Sequence, residues 1–266
     1  MKQILLLMIL TLELLSAVIK TPVVGVDYDE ETLTIEIEKI DIGVSGFVVR
    51  RIAPEHTSIV QNVEVISFDA QKKIATLKMK EFNALKNNSL PEGKWKIEVG
   101  DSVELAFGYS RALLIAPNEE IYYRISQSVN VSWIHPDLFA TILSFHGHPT
   151  PLYEDFKAMG ISSSVGLLFL YLEQKVYTVD IHSFKILSIA DAPLEQESVK
   201  LPFYSRVEKI EANWFGEGSD ELEAYEPYYY ELLVEHNEKN RALYEVIKNG
   251  DAKFHSLLEE FDLEEK

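Results

Sequence analysis

Two histidines separated by a single glycine, His146-Gly147-His148, are the residues of this chain best suited by type to carry chemistry. Imidazoles two positions apart in a loop can share a cation, and His135 and Asp137 upstream offer another nitrogen and a carboxylate oxygen. These residues crowd into Arg111–Pro151, together with Trp133 and four prolines. The spacing matches no H-E-x-x-H zinc helix. Histidines that cap helices and pack on Trp133 account for the same pattern, so no metal ligand is assigned from sequence.

The remaining motifs are weaker. GISSSVG (160–166) resembles a phosphate-cradling loop only in its small residues. It lacks the lysine and spacing of a P-loop and leads into a strand, so it reads as a turn. No G-x-S-x-G elbow is present for serine hydrolysis. There is no cysteine, which removes thiol catalysis, disulfides and cysteine-based zinc sites. GEGSDELE (216–223) is acidic but departs from the calcium-loop pattern. Nothing selects an acid–base pair among the many carboxylates. The expectation is a protein that is not an enzyme and needs no cofactor.

Two features suit binding rather than turnover. Tyr225, Tyr228, Tyr229 and Tyr230 fit an interface, where tyrosine is enriched, and equally fit a helix docked on a core. Lys266 closes the sequence with an ammonium and an α-carboxylate a fixed short span apart. An aromatic-lined pocket with acidic and basic walls can grip such a zwitterion.

The elements that must position these residues follow from periodicity. Residues 1–19 have a basic start at Lys2, an apolar run over 4–12 and small residues at Ser16 and Ala17, the layout of a secretory signal peptide cut after Ala17. No later run is long enough to span a bilayer, so a mature chain without a transmembrane span is expected. Residues 20–108 alternate in period two, as at Leu33, Ile35 and Ile37, and predict a small β-barrel or sandwich. Strands are expected over 46–51, 58–66, 74–79 and 96–105, with a hairpin loop at 69–72.

Residues 109–205 predict an α/β domain. ALLIA (112–116) is a short strand, Asn118 caps a helix, and Pro136 and Pro151 open two more, the second stopped by Gly160. Strands over 165–172, 175–180 and 184–190 form an antiparallel meander. Residues 206–266 form an acidic helical C-terminal region, with apolar faces at Tyr229/Leu232/Leu233, Leu243/Val246/Ile247 and Phe254/Leu257/Leu258. The fold class expected is α+β.

The formal net charge is −18, and residues 217–266 hold 15 acidic against 5 basic residues. Such a chain repels nucleic acid and anionic headgroups, so neither is an expected partner.

Several stretches, in this order, carry a family resemblance: GVSGFVVR (43–50), SRALLIAPN (110–118), VSWIHPDLFATILS (131–144), GHPTP (147–151), SFKILS (183–188) and LPFYSRVEKIEANWFGEGS (201–219). From Ile19 to Glu217 the chain resembles the N-terminal domain of the plasminogen-binding proteins of Helicobacter-like and Campylobacter-like bacteria. The resemblance implies an exported or surface protein that binds host plasminogen through lysine without being a protease. Lysine-based binding transfers to Lys266 alone. The alternative is a periplasmic structural component with envelope proteins as partners.

Overall fold

The computed structural model describes residues 18–82, 95–196 and 198–263; residues 1–17 of the expected leader and Lys266 lie outside them. The fold is α+β, and the chain divides into two compact units after Tyr109.

The first unit is a barrel of β1 (Ile19–Asp27), β2 (Thr32–Glu36), β3 (Ser45–Ala53), β4 (His56–Asp69), β5 (Ile74–Lys80) and β6 (Ser102–Leu105). It closes in the order β1-β2-β5-β4-β3-β6, with every pair antiparallel. The alternation read in the sequence points inward: Leu33, Ile35, Val48, Val65, Leu77, Val103 and Leu105 are all buried. A six-stranded barrel is narrow enough for such side chains to fill it. Gly46 faces the β6 backbone so closely that any Cβ would strike the Glu104 carbonyl. The strand expected over 96–105 is cut to four residues by a turn. There Gly100 takes φ 95° and Asp101 accepts the Glu98 amide at 2.8 Å. Arg50 grips the same carboxylate through Nε and Nη2 at 2.8 and 2.7 Å.

The second unit contains β7 (Arg111–Ile115), α1 (Glu119–Ser128), β8 (Ser132–Ile134), α2 (Pro136–His146), α3 (Tyr153–Ser163), β9 (Leu167–Leu172), β10 (Lys175–Asp180) and β11 (Ile186–Asp191). After them come α4 (Tyr225–His236), α5 (Arg241–Asn249) and a 3-10 segment (Ala252–Glu260). The sheet order is β11-β10-β9-β7-β8; β7 runs parallel to β8 and β9, and β9, β10 and β11 form the antiparallel meander. Every residue of β9 is buried, as expected for a central strand covered on both faces. Asn118 accepts the Ile121 amide at 2.9 Å and caps α1.

Two helix boundaries differ from the sequence reading. α3 begins at Tyr153, two residues after Pro151, and it continues through Gly160 to Ser163. Gly160 is needed for packing, because a Cβ there would sit 2.7 Å from His182 and 2.8 Å from Ile181. The helix ends instead at Ser164, which adopts the left-handed conformation.

The C-terminal helices belong to the core. Tyr225, Tyr229, Tyr230, Leu233, Leu243, Ile247 and Phe254 pack in one cluster with Leu168, Leu170 and Tyr177 of the sheet. The tyrosines act as internal ties rather than as an exposed surface. The Tyr225 hydroxyl lies 3.1 Å from the carbonyls of both Ile115 and Tyr171. Tyr229 donates to Pro202 at 2.9 Å, and Tyr230 meets Tyr177 at 3.1 Å. Burial drives the hydroxyl pKa values of Tyr225 and Tyr229 well above their ordinary range, so both remain donors.

Candidate functional site

The histidine-rich segment is drawn into two separate places by α2. His135 stands at its N-terminal end, where Nδ1 accepts the Asp137 amide at 3.2 Å. Its ring lies against Tyr122 and Tyr204, and its Nε2 is buried without a hydrogen-bond partner among the described residues. Asp137 turns to Arg206, with a side-chain contact and a backbone contact both at 2.7 Å. Burial raises the Asp137 pKa, but the hydrogen bonds from Arg206 and its guanidinium charge help to outweigh it, and the net shift is downward. An 11-residue helix separates this end from His146, a span of about 16 Å. His135 and Asp137 therefore do not join the His146-Gly147-His148 pair. Trp133 also packs elsewhere, on Phe169.

His146 and His148 converge on a residue that sequence reasoning missed. Asp155 is completely buried, and its Oδ1 lies 2.6 Å from His146 Nδ1. His148 Nδ1 is 3.1 Å from the same oxygen and 3.0 Å from Oδ2. Oδ2 also accepts the Leu152 amide at 2.8 Å. One carboxylate thus faces two imidazoles and a backbone N–H, and among the described residues no lysine or arginine pairs with it. A ligand atom from each of His146, His148 and Asp155 lies within 4.8 Å of the others, so the three could hold a cation.

Local rules build this arrangement. Gly147 ends α2 in the left-handed conformation at φ 76°, and both its amide and that of His148 return to the Leu143 carbonyl at 2.7 and 3.0 Å. That reversal swings His148 back beside His146, with ring centroids 5.8 Å apart. Asp155 is the third residue of α3, where a carboxylate folds back onto the amide preceding the helix. The sequence signal was therefore present: an acid at the third helical position points towards the chain just before it, here the HGHPTP loop. Asn213 fixes the loop from outside, donating to the His146 carbonyl at 2.6 Å and through its amide to Gly147 at 2.9 Å.

The surroundings are negative. Burial, followed by the charges of Asp155, Glu217, Glu235 and Glu231, pushes the Tyr228 hydroxyl far above its ordinary pKa. Beside the loop stand large apolar groups in solvent. Phe145 is 88% exposed, Trp214 99% and Phe215 87%. Phe145 directly precedes His146, and Trp214 directly follows Asn213.

The sequence pattern of a family described as plasminogen-binding protein pgbA N-terminal matches residues 18–233. The chain belongs to this family. Among its relatives are the plasminogen-binding proteins PgbA of two Helicobacter pylori strains. That of strain J99 is 29% identical and that of strain 26695 is 28% identical, each over 216 residues. The alignment covers 79% of this chain and 46% of each relative, so the chain spans less than half the length of the curated relatives it matches. No solved structure matches the chain significantly. The family's match ends inside α4, whereas the core of the second unit continues into the 3-10 segment. The relatives are named as binding proteins.

Proposed function

We propose that this chain is an exported, non-catalytic binding protein that takes plasminogen as its partner. The observation that carries the reading is the family match across residues 18–233, whose curated relatives are named for plasminogen binding. The exposed Phe145, Trp214 and Phe215 agree with it, since apolar side chains held in solvent suit a protein partner. The residue put forward for lysine-directed capture is Lys266, which has the carboxylates of Glu264 and Glu265 within two positions. A pocket that reads an ammonium beside a carboxylate can recognise this end of the chain.

The test is capture of plasminogen by the immobilised full chain, with and without deletion of Lys266. Capture should fall at least tenfold in the deletion, and free lysine should displace plasminogen from the unaltered chain. Equal capture by both removes Lys266 from the site, and no capture by either removes plasminogen.

The same exposed aromatics also favour a second reading, a periplasmic component that docks on an envelope assembly. Proteolysis of intact cells separates the two. A surface protein is cleaved at once, whereas a periplasmic one survives until the outer membrane is opened.

A further inference from the structure

We propose that His146, His148 and Asp155 form a binding site for a divalent transition-metal ion of the zinc type. Two imidazole nitrogens and one carboxylate oxygen are its ligands, and the fourth position is open to water. Three independent features of the site point there.

The first is distance. Two ligands of a tetrahedral zinc ion, each about 2.1 Å from the metal, stand about 3.4 Å from one another. His146 Nδ1 and His148 Nδ1 lie 2.6 and 3.0 Å from the Asp155 oxygens they face. An ion is accommodated by a sub-ångström widening of these two contacts, and both histidine side chains are partly exposed.

The second is charge. A fully buried carboxylate is strongly unfavourable unless it is paired, as is any desolvated ion. Its partners here are imidazoles and an amide, and an imidazole brings a positive charge only when protonated. Glu217, Glu231 and Glu235 deepen the negative field at neighbouring Tyr228. A dication answers that field where a neutral ring does not.

The third is rigidity. The Leu152 amide holds Asp155, the Gly147 turn holds His148, and Asn213 holds the backbone between the two rings. Ligands fixed by such outer contacts need little reorganisation on binding. The donor set selects the element class, because imidazoles with a single carboxylate suit zinc, nickel or copper, and calcium or magnesium require more oxygens.

The experiment is calorimetric titration of the full chain, carrying no histidine tag and stripped by chelator, with Zn2+. One ion per chain is expected, with Tm raised by roughly 5–10 °C at a hundredfold excess over Kd. His148→Ala and Asp155→Asn should each weaken Zn2+ binding at least tenfold, while His135→Ala should bind as the unaltered chain does. Co2+ should give visible ligand-field bands that His148→Ala loses. The His148 ring is partly exposed, so that variant keeps the His146–Asp155 contact and the fold. Absence of saturable Zn2+ binding, or equal binding by His148→Ala, overturns the proposal. Plasminogen capture is measured separately, so failure of either assay leaves the other intact.

Discussion

Asp155 and Asp101 are both nearly or fully buried carboxylates, and their partners give them different consequences. Asp101 has a guanidinium: Arg50 binds both its oxygens, and the Glu98 amide adds a third bond. Burial pushes the Asp101 pKa up, but the Arg50 bond, the amide and the Arg50 charge together bring it below the ordinary 3.8. A depressed folded-state value means that stability is present above the unfolded pKa and is lost as pH falls through the folded one. The stability gap between the unaltered chain and Asp101→Asn should therefore be constant from pH 7 to about 5 and close progressively below about pH 4. Denaturant unfolding at several pH values measures it, and a gap that widens on acidification contradicts the assignment. Among the described residues Asp155 has no such lysine or arginine, so its loss is felt through hydrogen bonds. Asp155→Ala removes the acceptor for Leu152 and for both rings and should cost about 2–4 kcal/mol at neutral pH.

At the scale of elements, glycines decide where helices stop and how closely they pack. Gly160 looks like a helix terminator in sequence, yet it lies within α3 against Ile181 and His182. Alanine there would gain about 1 kcal/mol of helix propensity and lose about 1–3 kcal/mol through overpacking. Gly160→Ala should thus unfold at lower denaturant concentration than the unaltered chain, and a stabilised variant would mean that α3 moves freely. The barrel strands were legible because one face is wet and one is buried, which writes period two into residues such as Leu33 and Ile35. Helix starts at Asn118 and Pro136 were legible because caps are local chemistry. The partner of His146 and His148 was not read, since Asp155 lies nine positions beyond His146 and only the α2–α3 turn unites them. The tyrosines of α4 were ambiguous for the same reason, as an aromatic face does not announce whether a sheet or solvent lies beyond it.

At the scale of the whole molecule, acidity and core are combined in the same C-terminal stretch. Residues 217–266 carry ten more acidic than basic residues, a composition that by itself suggests a solvated tail. Among the described residues, Glu231, Glu235, Glu245, Lys248, Glu259 and Glu260 are instead exposed on helical segments whose inner faces, Leu243, Ile247, Phe254 and Leu257 among them, pack with the sheet residues. Lys253 helps to seat the 3-10 segment, lying 3.2 Å from Glu226 and 3.8 Å from Glu173. Burial and Glu226 together push the Glu173 pKa up, so Lys253 is placed where negative charge is least comfortable. The family match ends at residue 233, and a version of the chain trimmed near that limit would lack α5 and the 3-10 segment. Each large apolar side chain removed from a core costs about 2–5 kcal/mol, and losing four approaches the whole stability of an ordinary domain. A chain ending at residue 237 should therefore lose the cooperative unfolding of its second unit and expose apolar surface to a hydrophobic dye. Retention of a sharp transition at the same temperature would show that α5 and the 3-10 segment merely decorate the core. The expected collapse makes these helices structural first, so any binding role of Lys266 must be measured in a chain that keeps them.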